Sequence, residues 1–179
     1  MSGREWRIAL VAGAGAILLL IVLAALAAAL GAFDVAADRP DGALTRHFMA
    51  FARERSIDAH AEGIEVPKLD TPERIAEGAE HYSAMCIGCH LAPGMAENEM
   101  RPGLNPKPPL LASRPAEDPA EQFWIVKHGI KMTGMPAWGP THSDEEIWNI
   151  VAFLQKLPKL TSPQYRVLTA HAHHHEMSE

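Results

Sequence analysis

The chain opens on an apolar run unlike anything after it. From Ile8 to Phe33 it reads IALVAGAGAILLLIVLAALAAALGAF, 26 residues without a charge. Wound as a helix, the run spans roughly 39 Å at 1.5 Å per residue, enough to cross a hydrocarbon core of about 30 Å with some tilt. The apolar part of a cleaved signal peptide is about 7–15 residues long. The pattern therefore predicts an uncleaved transmembrane anchor over residues 1–33, although small residues between Ala27 and Ala32 offer cleavage sites. Arg4 and Arg7 precede the run, against Glu5 alone, and Asp34, Asp38 and Asp41 follow it with Arg39. Positive flanks stay in the cytoplasm, so everything after the run is expected on the far side of the membrane, with Trp6 at the inner interface.

Residues 34–69 read as a stalk or connector. After the turn-rich DVAADRPDG, the segment ALTRHFMAFARER sets Leu44, Phe48, Phe51 and Arg55 near helical spacing. That spacing suits either a short helix packed on the main domain or one lying on the membrane surface. A domain over residues 70–160 follows. Thr71 suits an N-cap and Pro72 a first helical position, and Ile75, Ala79 and Tyr82 share a face of a helix running to about Cys86. A second helix is expected in DPAEQFWIVKHG, capped by Asp118 and stopped at Gly129. The last is SDEEIWNIVAFLQKLP, with a Ser143–Glu146 capping box, Pro158 just beyond the end, and Ile147, Val151 and Leu154 in one stripe. Between these helices lie two long irregular stretches, LAPGMAENEMRPGLNPKPPLLASRP and IKMTGMPAWGPTH. No strand pattern and no repeat is visible. Loops of that length count against a compact fold unless they wrap something large, and three short helices make a thin core. A large apolar ligand would complete it.

Charge and cysteine usage narrow the chemistry. A formal net charge of −6, with no Lys/Arg-rich stretch, argues against a nucleic-acid partner. The only two cysteines are in CIGCH, Cys86 to His90. A redox disulfide of the thioredoxin kind calls for a βαβ context, which is missing. A zinc site calls for four ligands, and His90 directly after Cys89 strains a tetrahedron. A structural disulfide is compatible with export. C-x-x-C-H is also the attachment pattern for c-type haem: two thiols one helical turn apart reach two vinyl groups, and the adjacent histidine faces the iron. Cys86 and Cys89 are the expected covalent attachment points and His90 the proximal ligand. For the opposite axial position the candidates are Met95, Met100, Met132, Met135 and Met177. Met135, in TGMPAWG, is favoured because flanking glycines allow close approach and Pro136 stiffens the chain; Met132 is its competitor.

GAEHYSAMCIGCH, FWIVKHGIKMTGMPAWG and SDEEIWNIVAFLQKLP, taken in that order, resemble the bacterial monohaem class I cytochromes c, and in particular their membrane-anchored members. The likeness runs from about Thr71 to Pro158. It implies an all-α fold of three main helices around one covalent haem c, plus the N-terminal anchor, with His90 and Met135 on the iron and one-electron transfer as the activity. It also implies that the first and last helices cross at Gly78 and Tyr82, with Trp148 as the aromatic packed there. The expected protein is not an enzyme. It is a single-pass protein of the bacterial inner membrane, N-terminus cytoplasmic and haem domain periplasmic, exchanging electrons with redox partner proteins and binding no small-molecule substrate. The alternatives are a subunit of a larger oxidase or dehydrogenase complex and, at a greater distance, a haem-based sensor or enzyme. A second C-x-x-C-H is missing, which excludes a dihaem subunit. Lys107, Lys127 and Lys131 could ring the haem edge and steer an acidic partner. Residues 161–179 read as a His-rich tail, in which His171, His173, His174 and His175 offer weak metal ligands.

Overall fold

The computed structural model describes residues 2–170 and divides into two units, one up to Ala36 and one from Ala37 onward. The first unit is helix α1 (Gly3–Ala29), started by a Ser2–Glu5 capping box and with none of its residues buried. It is apolar all round, the pattern of a helix made for surroundings other than water. Among the described residues it is the one helix long and apolar enough to cross a membrane, a test that a signal sequence near the N-terminus also passes.

The second unit is built on the crossing of α3 (Pro72–Met85) and α6 (Asp144–Leu154). Both helices start where the sequence signals them. The Thr71 hydroxyl accepts from the Arg74 amide, and Ser143 and Glu146 form a reciprocal capping box. Ala79 and Tyr82 from α3 meet Ile147, Ile150, Val151 and Phe153 from α6 in the core. Close approach rests on Gly78: a Cβ there would stand 1.9 Å from the Asn149 carbonyl oxygen and 2.9 Å from the Phe153 Cβ. Polar groups lock the same crossing. The Asn149 amide donates to Glu77 at 2.5 Å and its oxygen accepts from Arg74 at 2.9 Å, while Arg74 also pairs with Glu145 at 2.7 Å. Asn149 is buried, so both ends of its amide need these partners.

Helix α5 (Pro119–His128) carries Asp118 as its cap and lays Phe123 flat on Trp148, centroids 4.1 Å apart. This corrects the expected role of Trp148. The aromatic over Tyr82 is Phe153, at 5.3 Å. Phe153 lies one turn beyond Asn149, on the face that meets Gly78, whereas Trp148 is a residue earlier and about 100° around the helix, toward α5. Together with α2 (Ala43–Ala61), the short α4 (Ile87–His90) and α7 (Ser162–Thr169), the described residues are all helical or irregular, with no strand.

Two of these elements differ from the sequence picture. Where a tail was expected from residue 161, a Thr161–Gln164 capping box with Pro163 in the first turn starts α7, whose buried Tyr165 packs against Tyr82 and Phe153. Helix α2 shows the packed arrangement in one half only. Its C-terminal half packs on α5, with Ile57 and Ala61 buried and His60 5.3 Å from Trp124. Its N-terminal half leaves Leu44, Phe48 and Phe51 exposed.

Candidate haem site

The C-x-x-C-H residues sit on one tight turn. Helix α3 ends at Met85, Cys86 is its C-cap, and α4 follows at once. The Cys86 carbonyl accepts from both the Cys89 and the His90 amides, at 3.1 and 2.8 Å. That turn brings the two thiols and the imidazole into one helical coil, all half-buried, and neither thiol is in a disulfide. Burial, with Cys89 adding to it, pushes the Cys86 thiol up to about 12, so it stays protonated at neutral pH. Leu91 closes the turn at φ 59°, a backbone region costly for a side chain of this kind. The Tyr82 hydroxyl donates to the Leu91 carbonyl at 2.7 Å and holds that conformation from the core.

The imidazole of His90 is oriented by the wrapping loop. Its Nδ1 lies 2.9 Å from the Pro109 carbonyl oxygen. A carbonyl can only accept, so Nδ1 carries the hydrogen and the lone pair is on Nε2. Burial, the largest influence, lowers the His90 pKa from its ordinary value, which favours the neutral ring. A buried neutral imidazole with one nitrogen committed and the other bearing a lone pair is the form a metal ligand requires.

The wrapping loop is itself pinned to the turn. Asn98 donates to the Gly88 carbonyl at 2.6 Å, and its oxygen accepts from the Met100 and Arg101 amides. Arg101, which sequence reasoning passed over, is 3 % exposed. Its guanidinium donates to the Pro108 carbonyl at 2.7 Å, next to the Pro109 carbonyl that holds His90. Its Nε is buried and has no partner. A buried cation with an unmet donor is costly, and an anionic oxygen would satisfy it. The only sequence signal was an arginine inside an otherwise apolar, Pro-rich loop, too weak to single it out.

The methionine loop closes back on the end of α5. The Trp138 and Gly139 amides donate to the Val126 and Lys127 carbonyls, at 3.1 and 2.9 Å, two of the carbonyls that a helix leaves unmet at its C-terminus. The Ile130 amide donates to the Met135 carbonyl at 3.2 Å, and Thr133 bridges the interior by donating to Ile130 and accepting from the Met135 amide. Gly129, at φ 64°, makes the return possible, since a Cβ there would lie 2.7 Å from backbone atoms of Met135, Pro136 and Ala137. At the other end of the loop, Gly134 abuts Leu104 of the wrapping loop. Met135 is half-buried against the core, whereas Met132, at φ 58°, is 80 % exposed. Met95 and Met100 are also exposed. Met177 and the candidate ligands His171, His173, His174 and His175 lie outside the described residues.

The donor set fits a c-type haem: two free thiols, a histidine with one nitrogen open, a half-buried methionine and a buried guanidinium with one unmet N–H. Lys107 and Lys127 are engaged in ion pairs, with Glu97 at 2.5 Å and Asp144 at 2.6 Å.

Residues 73–154, from the start of α3 to the end of α6, match the family model described as cytochrome c oxidase, cbb3-type, subunit III. No curated protein and no solved structure matches the chain. With the all-helical fold, the match supports a class I c-type cytochrome domain over those residues. A cytochrome c-type domain implies haem c as cofactor, electron transfer as role and other redox proteins as partners.

Proposed function

We propose that the protein is a membrane-tethered electron carrier holding one covalent haem between His90 and Met135, with α1 as the anchor and the second unit in the periplasm. The observation that carries this reading is the single proton state left to His90, Nδ1 donating to Pro109 and Nε2 open, on the same turn as two free thiols. Haem supplies a one-electron change between Fe(III) and Fe(II). The chain supplies the rest. Cys86 and Cys89 would hold the ring through two thioether links. His90 would ligate the iron through its open Nε2, and Met135, on the loop pinned by Val126, Lys127 and Thr133, would supply a second ligand. Arg101 offers its unmet Nε to a carboxylate on the ring edge. With His90 and Met135 both on the iron, no site would be left there for a substrate, which favours a carrier over an enzyme or a sensor. The test is a redox titration together with carbon monoxide. The wild type is expected to titrate as one one-electron centre, and its reduced form to leave CO unbound at neutral pH. Rapid CO binding would point to an open iron and overturn the carrier reading.

A second reading, residence in a larger oxidase complex, is favoured by the description of the matching family model. Migration in mild detergent separates the two: a free carrier runs alone, a subunit with its partners.

A further inference from the structure

Helix α2 presents apolar side chains on two opposite faces. Ala50, Ile57 and Ala61 lie on the face turned to α5, where Ile57 and Ala61 are buried and Ala50 half-buried. Leu44, Phe48 and Phe51, spaced i, i+4 and i+7, share the other face, and they are 85 %, 65 % and 62 % exposed. A helix that serves only to pack on the domain needs a single apolar face. The second one faces away from every described element of its unit.

Two observations say what covers it. The first is the tether. Thirteen residues, 30–42, separate the end of α1 from the start of α2, and fully extended they reach at most roughly 45 Å. Resting on the anchoring reading above, the face carrying Leu44 is therefore always within that distance of the bilayer, whereas a second copy or a soluble partner has to arrive by diffusion. The second is charge. From Ala43 to Arg53 the helix holds Arg46, His47 and Arg53 and no carboxylate, in a chain whose net charge is −6. Arg55 then continues the apolar stripe one turn on; its head pairs with Asp58 at 3.4 Å, and its stem can lie along the acyl boundary. Arg46 and Arg53 fall about 200° and 180° around the helix from Leu44, and an apolar face backed by a basic polar one is the pattern of a helix lying in a membrane interface. We infer that the outward face of α2 docks on the same bilayer that α1 crosses, seated among anionic phospholipids, and so fixes the face that the haem domain turns to the membrane.

The test uses the full haem-loaded chain in phosphatidylethanolamine/phosphatidylglycerol vesicles doped with a diazirine-bearing phospholipid. After photolysis, lipid adducts are mapped by mass spectrometry. Adducts are expected along α1 and, as a separate cluster, at Leu44, Phe48 and Phe51, with none at Ile57 or Ala61. In the triple variant Leu44→Glu, Phe48→Glu, Phe51→Glu the second cluster should fall at least tenfold while α1 labels as before and the haem stain is retained. Labelling of α1 with residues 44–51 bare overturns this inference alone, as do chain-to-chain adducts at those residues. Absence of label from α1 overturns the anchoring reading, and this inference with it.

Discussion

Replacing Gly78 by alanine is expected to destabilise the haem domain by about 3 kcal/mol or more. On helix propensity alone the change should stabilise, because glycine inside a helix costs about 1 kcal/mol against alanine. The contact decides the sign. The added Cβ would stand 1.9 Å from the Asn149 carbonyl oxygen and 2.5 Å from its carbon, and these are backbone atoms of a buried helix that no rotamer change can move aside. The helices would have to separate, breaking the Tyr82–Phe153 contact and the Asn149 links to Glu77 and Arg74. A loss of that size is a large part of the roughly 5–15 kcal/mol that holds a domain together. Denaturant midpoints of Gly78→Ala and of the exposed control Ala76→Gly, which should lose only about 1 kcal/mol, separate contact from propensity. Equal losses in the two variants would remove the crossing from the account.

The second large effect concerns the axial methionine. Met135→Ala should abolish the weak far-red absorption band that a thioether sulfur gives with ferric haem iron, and open the reduced protein to CO. It should also lower the potential, by a fraction of the roughly 0.8 V that axial ligation commands, because a methionine ligand raises the potential. Met132→Ala should leave the band, the potential and the CO response unchanged, since Met132 faces solvent at 80 % exposure. If Met132→Ala alone erased the band, the fold would stand and the ligand would move by three residues along the loop.

The features legible in the sequence were those set by neighbours in the chain. Thr71, Asp118 and Ser143 announced three helix starts because capping depends on the next three or four residues. Cys86, Cys89 and His90 were readable as a group because their chemistry is packed into one helical turn. What escaped depends on partners far along the chain. Arg101 looked like a loop arginine until its burial beside Pro108 showed it. Tyr165 looked like part of a tail, because nothing local announces that it fits beside Tyr82. Trp148 and Phe153 were exchanged because the stripe of α6 names a buried face but not which part of it meets α3 and which meets α5. The wrapping loop, without periodicity, could be read only as a length; its pins at Asn98 and Pro109 are tertiary facts.

The most direct measurement is the intact mass of the full chain from a host that matures c-type cytochromes, with haem staining of the denatured band. One covalent haem on Cys86 and Cys89 predicts a mass above the polypeptide's by a single haem and a stained band. Cys86→Ala or Cys89→Ala should weaken or abolish that attachment, since at best one thioether remains. A polypeptide of unmodified mass, or one lighter by the two hydrogens of a Cys86–Cys89 disulfide, with no stain, would contradict it.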